Sequence, residues 1–276
     1  MSENSNCSSK FQKNLLPSIY SVELGMALVM NIVTLWVLVT KKRTNWNTGV
    51  VFFCNLLISN ILYALTLPFL IDYYSKGRKW DYGEAFCKIE RFLFTCNLYI
   101  SIYFIMCISV IRYLAIVHPF FTHEHIHLKH AKIISVFIWI YVASISSPIF
   151  YYSSVKSNRC SLVSHKDKKL IVRVFMAVIG CLVPFVVTFA SYFGILMTVF
   201  KNANITPLEK KKVCLIVGLV SILYAVSFLP YHILQIWHYS LKEVGILNYY
   251  LCNGNQMGKV LACLNMCFHP ILYIVV

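Results

Sequence analysis

Two basic side chains lie inside long apolar stretches of this sequence. Arg91 and Lys259 each interrupt apolar sequence that is typical of helices, and charged groups at such positions usually face a polar cavity or a binding site. A guanidinium or ammonium group held there would attract an anion. For Lys259 the alternative is a lysine whose apolar stem lies along the helix while its charged head reaches water.

Gln256 lies three positions before Lys259, so the two side chains project from the same face of a helix. If Arg91 faces them from another helix, the two basic groups can hold a polyphosphate between them. The sequence has no phosphate-binding glycine loop, no pair of carboxylates placed for acid–base chemistry and no metal-ligand spacing. We therefore expect a binding site without enzyme activity, and no cofactor, metal or nucleic-acid partner.

The helix that carries Arg91 has the length of a membrane span. Arg91 and Arg112 are 21 positions apart, which at the helical rise corresponds to about 31 Å, the hydrocarbon thickness of a bilayer. No charged residue and no histidine lies between them. Over the whole chain 59% of residues are hydrophobic, 13% are charged and the mean hydropathy is +0.68, values that exclude a soluble globular protein.

Seven apolar runs of this kind predict an all-α integral membrane protein, a seven-transmembrane-helix bundle in one domain covering residues 1–276. The predicted spans are residues 18–41, 48–74, 86–118, 128–152, 168–202, 208–240 and 246–276. The chain would cross the membrane several times in contact with lipid. Neither an eighth helix nor a C-terminal tail is expected after the last span.

Prolines predict where the helices start and bend. Pro17 is expected to start the first helix, because proline is favoured at that position. Pro68, Pro230 and Pro270 lie inside the second, sixth and seventh spans, where the missing backbone N–H should kink the helix. The kinks at Pro230 and Pro270 would serve as hinges for the inner helix ends.

The amino terminus is predicted to be extracellular. Asn6 begins a glycosylation sequon, and Cys87 and Cys160 are expected to form a disulfide on the same side. Cys7 and Cys252 could form a second bridge. Charge opposes this orientation, because only 10 of the 25 Lys and Arg residues then lie in cytoplasmic segments. An outer face with this excess of basic residues would concentrate anions.

Five short motifs resemble those of the rhodopsin-like (class A) G-protein-coupled receptors. They are NLLISN at 55–60, IRY at 111–113, Trp139, FLP at 228–230 and HPILY at 269–273. Within that family, the segment CKIERFLFTCNLYISIYF, the LPYH motif and the spacing from Gln256 to Lys259 are similar to the metabotropic purinergic nucleotide receptors. Ile111 and His269 at their motif positions resemble the type-eleven ATP receptors of that group.

The resemblance implies a plasma-membrane receptor for an extracellular, ATP-like nucleotide, which signals to heterotrimeric G proteins when its sixth helix opens. Two alternatives remain. The first is a receptor of the same class for another small anion, a dicarboxylate or a lipid acid. The second is a membrane transporter, although seven spans without internal repeats oppose that interpretation.

The resemblance also assigns a ligand site at the outer side. Its expected binding residues are Arg91, Lys259, Gln256, His232, Gln235, Tyr99, Thr95 and Arg173. Gln235 stands where the family usually has Lys or Arg, so one phosphate contact is missing. Three basic residues could replace that contact: Arg173, Lys168 and Lys169. Tyr99 and Phe94 could stack on a base, although aromatic residues on spanning helices more often pack in the core.

The same resemblance places the residues for activation and G-protein coupling at the inner, cytoplasmic side. The residues expected to act in activation and G-protein coupling are Arg112, Tyr113, Tyr192, Phe228, Pro230, His269, Pro270 and Tyr273. In the family an acidic residue precedes this arginine and restrains it. Here that residue is Ile111, so elevated basal signalling is expected. The family's sodium pocket also loses its carboxylate, because Asn60 replaces it and His269 replaces its polar partner.

Overall fold

The sequence folds into the helical bundle that its apolar runs predict. The computed structural model describes residues 10–41, 46–162, 166–243 and 249–275. In chain order its elements are α1 (Lys10–Lys41), α2 (Thr48–Ala64), α3 (Leu67–Ser75), α4 (Gly83–Val117), α5 (Pro119–His125), α6 (Leu128–Ser146), α7 (Pro148–Tyr152), β1 (Ser153–Lys156), β2 (Arg159–Leu162), α8 (Lys166–Ala177), one π-helical turn (Val178–Leu182), α9 (Val183–Lys201), α10 (Pro207–Glu243) and α11 (Tyr249–Val275). Asn6 and Cys7 lie outside the described residues, as do the side chains of Lys168, Lys169 and Tyr273.

Six of the described helical stretches are long and apolar enough to cross a membrane. They are Gln12–Thr40, Thr48–Ser75, Gly83–Val117, Leu128–Tyr152, Arg173–Lys201 and Pro207–Leu241. The helix α11 completes a bundle of seven. The helix α4 packs against α2, α6 and α9, while α10 packs along α11 and α1 packs against α2, α3 and α11. The helix that carries Arg91 and Arg112 therefore runs through the middle of the bundle.

The prolines have different effects on the helices. A break separates α2 from α3 just before Pro68, where the Thr66 N–H donates to the Tyr63 carbonyl at 2.8 Å, so the predicted kink is present. The helices α10 and α11 continue through Pro230 and Pro270. The expectation for Pro17 is wrong, because α1 begins at Lys10 and contains this proline. A fixed φ near the helical value allows proline inside a helix when the other backbone bonds are kept.

A polar network ties four helices together in the middle of the bundle. Asn60 on α2 donates to the Asn31 side chain at 2.8 Å and lies 3.2 Å from His269 Nδ1. Asn97 on α4 donates to Asn60 Oδ1 at 3.1 Å, and Asn31 donates to the Met266 carbonyl at 3.0 Å. These bonds satisfy polar groups that would otherwise be costly in an apolar interior. Amide and imidazole groups therefore occupy the place where the resemblance implies a carboxylate.

We expect agonist affinity to be insensitive to sodium. The bonds around Asn60 join neutral groups, and a buried cation without a carboxylate beside it is strongly disfavoured. Agonist binding should be measured with sodium chloride exchanged for choline chloride at constant ionic strength. A several-fold change in affinity would contradict the expectation. Restoring the carboxylate with Asn60→Asp is the matched control, and it should create sodium sensitivity.

An acidic side chain is buried in the bundle outside this network. Glu23 on α1 is 1% exposed, and neither of its carboxylate oxygens has a hydrogen-bond partner within the described part of the chain. The Cys267 thiol donates to the Glu23 backbone carbonyl at 3.6 Å, which places this residue against α11. The position of Glu23 near the start of the first apolar run suggests an outer-face acid, but the helix turns it inward.

Replacing Glu23 by leucine should make the protein more stable. An unpaired buried polar group costs about 1–3 kcal/mol, and removing it should raise Tm by roughly 5 °C in a chain of this size. Thermal unfolding of the detergent-solubilised protein measures the change. Glu23→Gln keeps a polar group at the position and should gain less. A lower Tm for the leucine variant would mean that the carboxyl group has a stabilising partner.

Candidate functional site

The outer mouth of the bundle is held by a disulfide and a short hairpin. Cys87 at the start of α4 is bonded to Cys160 on β2, with 5.6 Å between their Cα atoms. The strands β1 and β2 pair antiparallel, and the Trp80 N–H donates to the Asn158 carbonyl at the hairpin turn at 2.7 Å. The loop between α3 and α4 is therefore fixed to the hairpin. Cys252 on α11 is buried and disulfide-bonded, while Cys7, its predicted partner, lies outside the described residues.

Basic residues from four parts of the chain converge below this mouth. Arg91 from α4, Arg173 from α8 and Arg78 from the loop before α4 all act electrostatically on Lys259 of α11, and all four side chains are partly buried. The predicted pair Arg91 and Lys259 is thus brought together, with Arg173 beside it. Four like charges in a partly dry site repel one another unless an anion lies between them.

Sequence analysis missed Arg78 because it lies in a loop that is rich in lysine. Its backbone has a left-handed φ of 72°, which is uncommon for a residue with a side chain and directs Arg78 differently from its neighbours. Lys76 and Lys79 instead pair with Asp81, at 3.2 and 3.4 Å. The hydrogen bond from Lys76 lowers the pKa of Asp81 below its usual value. Lys76 also pairs with Asp72 at 2.8 Å, so two acids neutralise the two loop lysines.

A carboxylate lies among these basic groups. Glu90 is 3% exposed, and its Oε2 lies 3.3 Å from Arg91 Nε. Glu90 also acts electrostatically on Lys259. The sequence analysis did not single out Glu90, because adjacent residues on a helix do not normally face each other. The available signal was an acid within the apolar run, directly before Arg91.

The predicted amide ligand Gln256 has a fixed orientation. The Tyr74 hydroxyl donates to Gln256 Oε1 at 2.8 Å, and the Tyr74 ring stacks on Tyr20 at 5.8 Å. With the amide oxygen occupied, the amide nitrogen is the group of Gln256 that could donate to a ligand. Tyr74 is a third residue that sequence analysis missed, since no motif marks it.

Arg173 is one of the three residues that could replace the phosphate contact missing at Gln235, and it lies beside α10. Its guanidinium lies 5.1 Å from the centre of the Tyr239 ring, a cation–π contact, and it also interacts with Tyr231. Both tyrosines are on α10, the helix that carries Gln235. Gln235 itself is 4% exposed, and its Oε1 has no hydrogen-bond partner among the described residues. With a neutral amide at this position, Arg173 is the cation that the described side chains place beside α10.

The aromatic side chains of the site are buried against other side chains. Tyr99 is 3% exposed, and its ring lies 5.8 Å from that of His232. The Tyr99 ring also lies against Gly180 in the π-helical turn, where an added Cβ would collide with it. Phe94 packs against Tyr231 at 5.6 Å. In the structure both rings therefore pack in the core, which is the alternative to stacking on a base.

Two further predicted residues are also engaged with the protein. His232 is 7% exposed between Tyr99 and Tyr231, with no hydrogen bond to its Nε2 from any described residue. Thr95 donates its hydroxyl to the Arg91 carbonyl at 3.0 Å. His232 thus lies at the floor of the site with one ring nitrogen available, while the hydroxyl of Thr95 is already bonded.

Some of the residues expected to act in activation meet at the inner ends of α4 and α9, whereas Phe228 lies further outward on α10. Tyr192 on α9 is 5% exposed and interacts with Ser109 and with Arg112. Among the described residues, no carboxylate forms an ion pair with Arg112. The Tyr113 ring packs against Gly194 on α9, where an added Cβ would collide with it. Phe228 on α10 is buried against Tyr224, with 5.0 Å between the ring centres.

The fold and both ends of the bundle agree with one family. The profile described as "7 transmembrane receptor (rhodopsin family)" matches residues 30–273. The chain therefore belongs to the rhodopsin family of seven-transmembrane receptors. It is a multi-pass protein of the plasma membrane and not an enzyme.

Within that family the chain is similar to several purinoceptors. It is 33% identical over 302 residues to purinoceptor 11 of Homo sapiens, covering 96% of this chain and 80% of that protein. It is 31% identical over 276 residues to purinoceptor 2 of Rattus norvegicus, covering 95% and 74%. It is also 31% identical over 279 residues to purinoceptor 1 of Gallus gallus, covering 95% and 76%.

Proposed function

We propose that this protein is a receptor for an extracellular ATP-like nucleotide and signals to heterotrimeric G proteins. The observation that carries the proposal is that Arg78, Arg91, Arg173 and Glu90 all lie near enough to Lys259 to act on its charge, with Glu90 Oε2 3.3 Å from Arg91 Nε. Its relatives are named purinoceptors, which supports a purine nucleotide as the ligand.

The charge of the site fits a chain of phosphates. Arg91 and Arg173 offer planar guanidinium groups that can donate two parallel hydrogen bonds to a phosphate, whereas Lys259 offers a compact charge. The Gln256 amide nitrogen adds a neutral donor on the same face as Lys259. Such donors can spread over two or three phosphate groups. A monocarboxylate would leave several of these buried cations unpaired, which is costly.

The signal would pass along α10. His232 and the ring of Tyr231 face the site, while Phe228 packs with Tyr224 further inward on the same helix. A ligand changes the balance between two arrangements of the bundle only by binding one of them more tightly. We propose that contacts with Arg173 and the α10 residues differ between the two arrangements. Outward movement of the inner part of α10 would then expose Arg112 to the G protein.

The test is a ligand panel applied to cells that express the protein. ATP, ADP, UTP, UDP, succinate and a leukotriene-type acid should be compared by intracellular calcium and cyclic AMP, with untransfected cells as the control. We expect the adenine triphosphate or diphosphate to act at the lowest concentration. A response to succinate or the lipid acid alone would assign the site to another small anion. Ligand uptake without a second-messenger response would indicate a transporter.

A further inference from the structure

Glu90 is an unusual component of a site for anions. Its side chain is 4% exposed, and that of Arg91 beside it is 15% exposed, so little water screens either charge. A buried carboxylate repels an anionic ligand directly, and it also occupies a cation that the ligand needs. A site that only had to bind phosphate tightly would have no use for this group.

The contact between Glu90 and Arg91 is close but poorly aligned. Glu90 Oε2 lies 3.3 Å from Arg91 Nε, yet neither atom makes a hydrogen bond with any described residue. The strongest pairs of this type are bidentate, with two parallel N–H···O bonds. Since the two residues are adjacent on α4, their side chains leave the helix in different directions and cannot reach that geometry. The contact is therefore one that a phosphate oxygen can replace.

Glu90 also acts beyond its neighbour. Among the described charges that act most on Lys259, Glu90 attracts the lysine, while Arg91, Arg173 and Arg78 repel it. In the empty site Glu90 therefore reduces the mutual repulsion of the basic groups. When a ligand arrives, its phosphates take over that role, and Glu90 becomes a repulsive neighbour. The repulsion increases with each negative charge that the ligand carries.

We propose that Glu90 is a specificity-determining residue, a built-in counter-anion that limits how much affinity the receptor gains from each additional phosphate. The proposal rests on the nucleotide function inferred above and adds a rule for selecting among nucleotides. Arg91 pairs with Glu90 in the empty site and with the ligand in the occupied site. Removing the Glu90 charge should favour the more highly charged ligands most.

The experiment compares AMP, ADP and ATP on the wild-type protein and on Glu90→Gln, which keeps the shape and removes the charge. We expect the concentration for half-maximal response to fall by about tenfold for ATP, by about threefold for ADP and little for AMP. Surface expression is measured in parallel. Glu90→Asp keeps the charge and should retain the wild-type order of the three ligands.

A matched control separates the local charge from the general field of the outer surface. Glu84→Gln removes an acid from the first turn of the same helix, where the Glu84 side chain is 53% exposed and pairs with Lys88 at 2.7 Å. Glu84→Gln should leave the concentration–response curves for AMP, ADP and ATP nearly unchanged. If Glu90→Gln lowers the potency of AMP, ADP and ATP by the same factor, Glu90 merely orients Arg91 and the inference is wrong. If no nucleotide activates the wild-type protein, the proposed function itself fails.

Discussion

Replacing Arg91 by alanine should reduce nucleotide potency by about a hundredfold. The change removes a guanidinium from the centre of the site, where it is 15% exposed, and charge-assisted hydrogen bonds to a buried anion contribute about 3 kcal/mol. Lys259→Ala should have a comparable effect from the opposite side. Concentration–response curves for ATP, with surface expression measured on the same cells, test both variants.

Lys79 supplies the matched control for the loss of a positive charge. It lies on the same outer side, its side chain is 58% exposed, and it pairs with Asp81 at 3.4 Å. Lys79→Ala should change potency by less than about threefold, because exposed charges are screened by salt. Unchanged potency in the Arg91 and Lys259 variants would place nucleotide binding elsewhere.

Part of the loss in Arg91→Ala should come from Glu90, which is left without its cation. The double variant Glu90→Gln with Arg91→Ala should therefore lose less potency than the sum of the two single changes predicts. A double-mutant cycle measures this coupling. Additive effects would show that the 3.3 Å contact between the two side chains has no energetic importance for binding.

Introducing an acid at Ile111 should lower signalling in the absence of agonist by about fivefold. Arg112 is partly buried, and no carboxylate pairs with it among the described residues. A neighbouring aspartate would restrain the guanidinium by about 1 kcal/mol, which corresponds to that factor. Basal second-messenger production, normalised to surface expression, is the measurement for Ile111→Asp.

Ile111→Asn is the control for polarity without charge, and it should leave basal signalling close to wild type. If the aspartate variant signals as strongly as the wild type without agonist, the missing acid does not explain any basal activity. Tyr192, which already interacts with Arg112, would then be the residue to examine as its restraint.

The positions of the helices were predictable because a membrane span imposes a length. Apolar runs of about 20 residues must form helices there, since lipid offers no partner for backbone N–H and C=O groups. The break at Pro68 was predictable for a different reason, because proline lacks the backbone N–H that continues a helix. The start of the first helix was predicted wrongly at Pro17, because nothing in the local sequence reveals that α1 extends outward to Lys10.

The convergence of Arg91 and Lys259 was also predictable, once both were seen inside apolar sequence. The contributions of Arg78, Tyr74 and Glu90 were not. The direction of Arg78 depends on a left-handed loop residue, and the hydrogen bond from Tyr74 to Gln256 joins residues far apart in sequence. A single sequence does not specify how each helix is rotated about its axis, and this rotation also decides that Glu23 faces inward.

The π-helical turn at Val178–Leu182 has a consequence for the outer end of the fifth span. A π turn holds one residue more than an α turn, so the segment before it is rotated by roughly 100° relative to an uninterrupted helix. Arg173 lies in that rotated segment. Deleting a single residue from the wide turn would swing this guanidinium away from Tyr239 and toward the lipid.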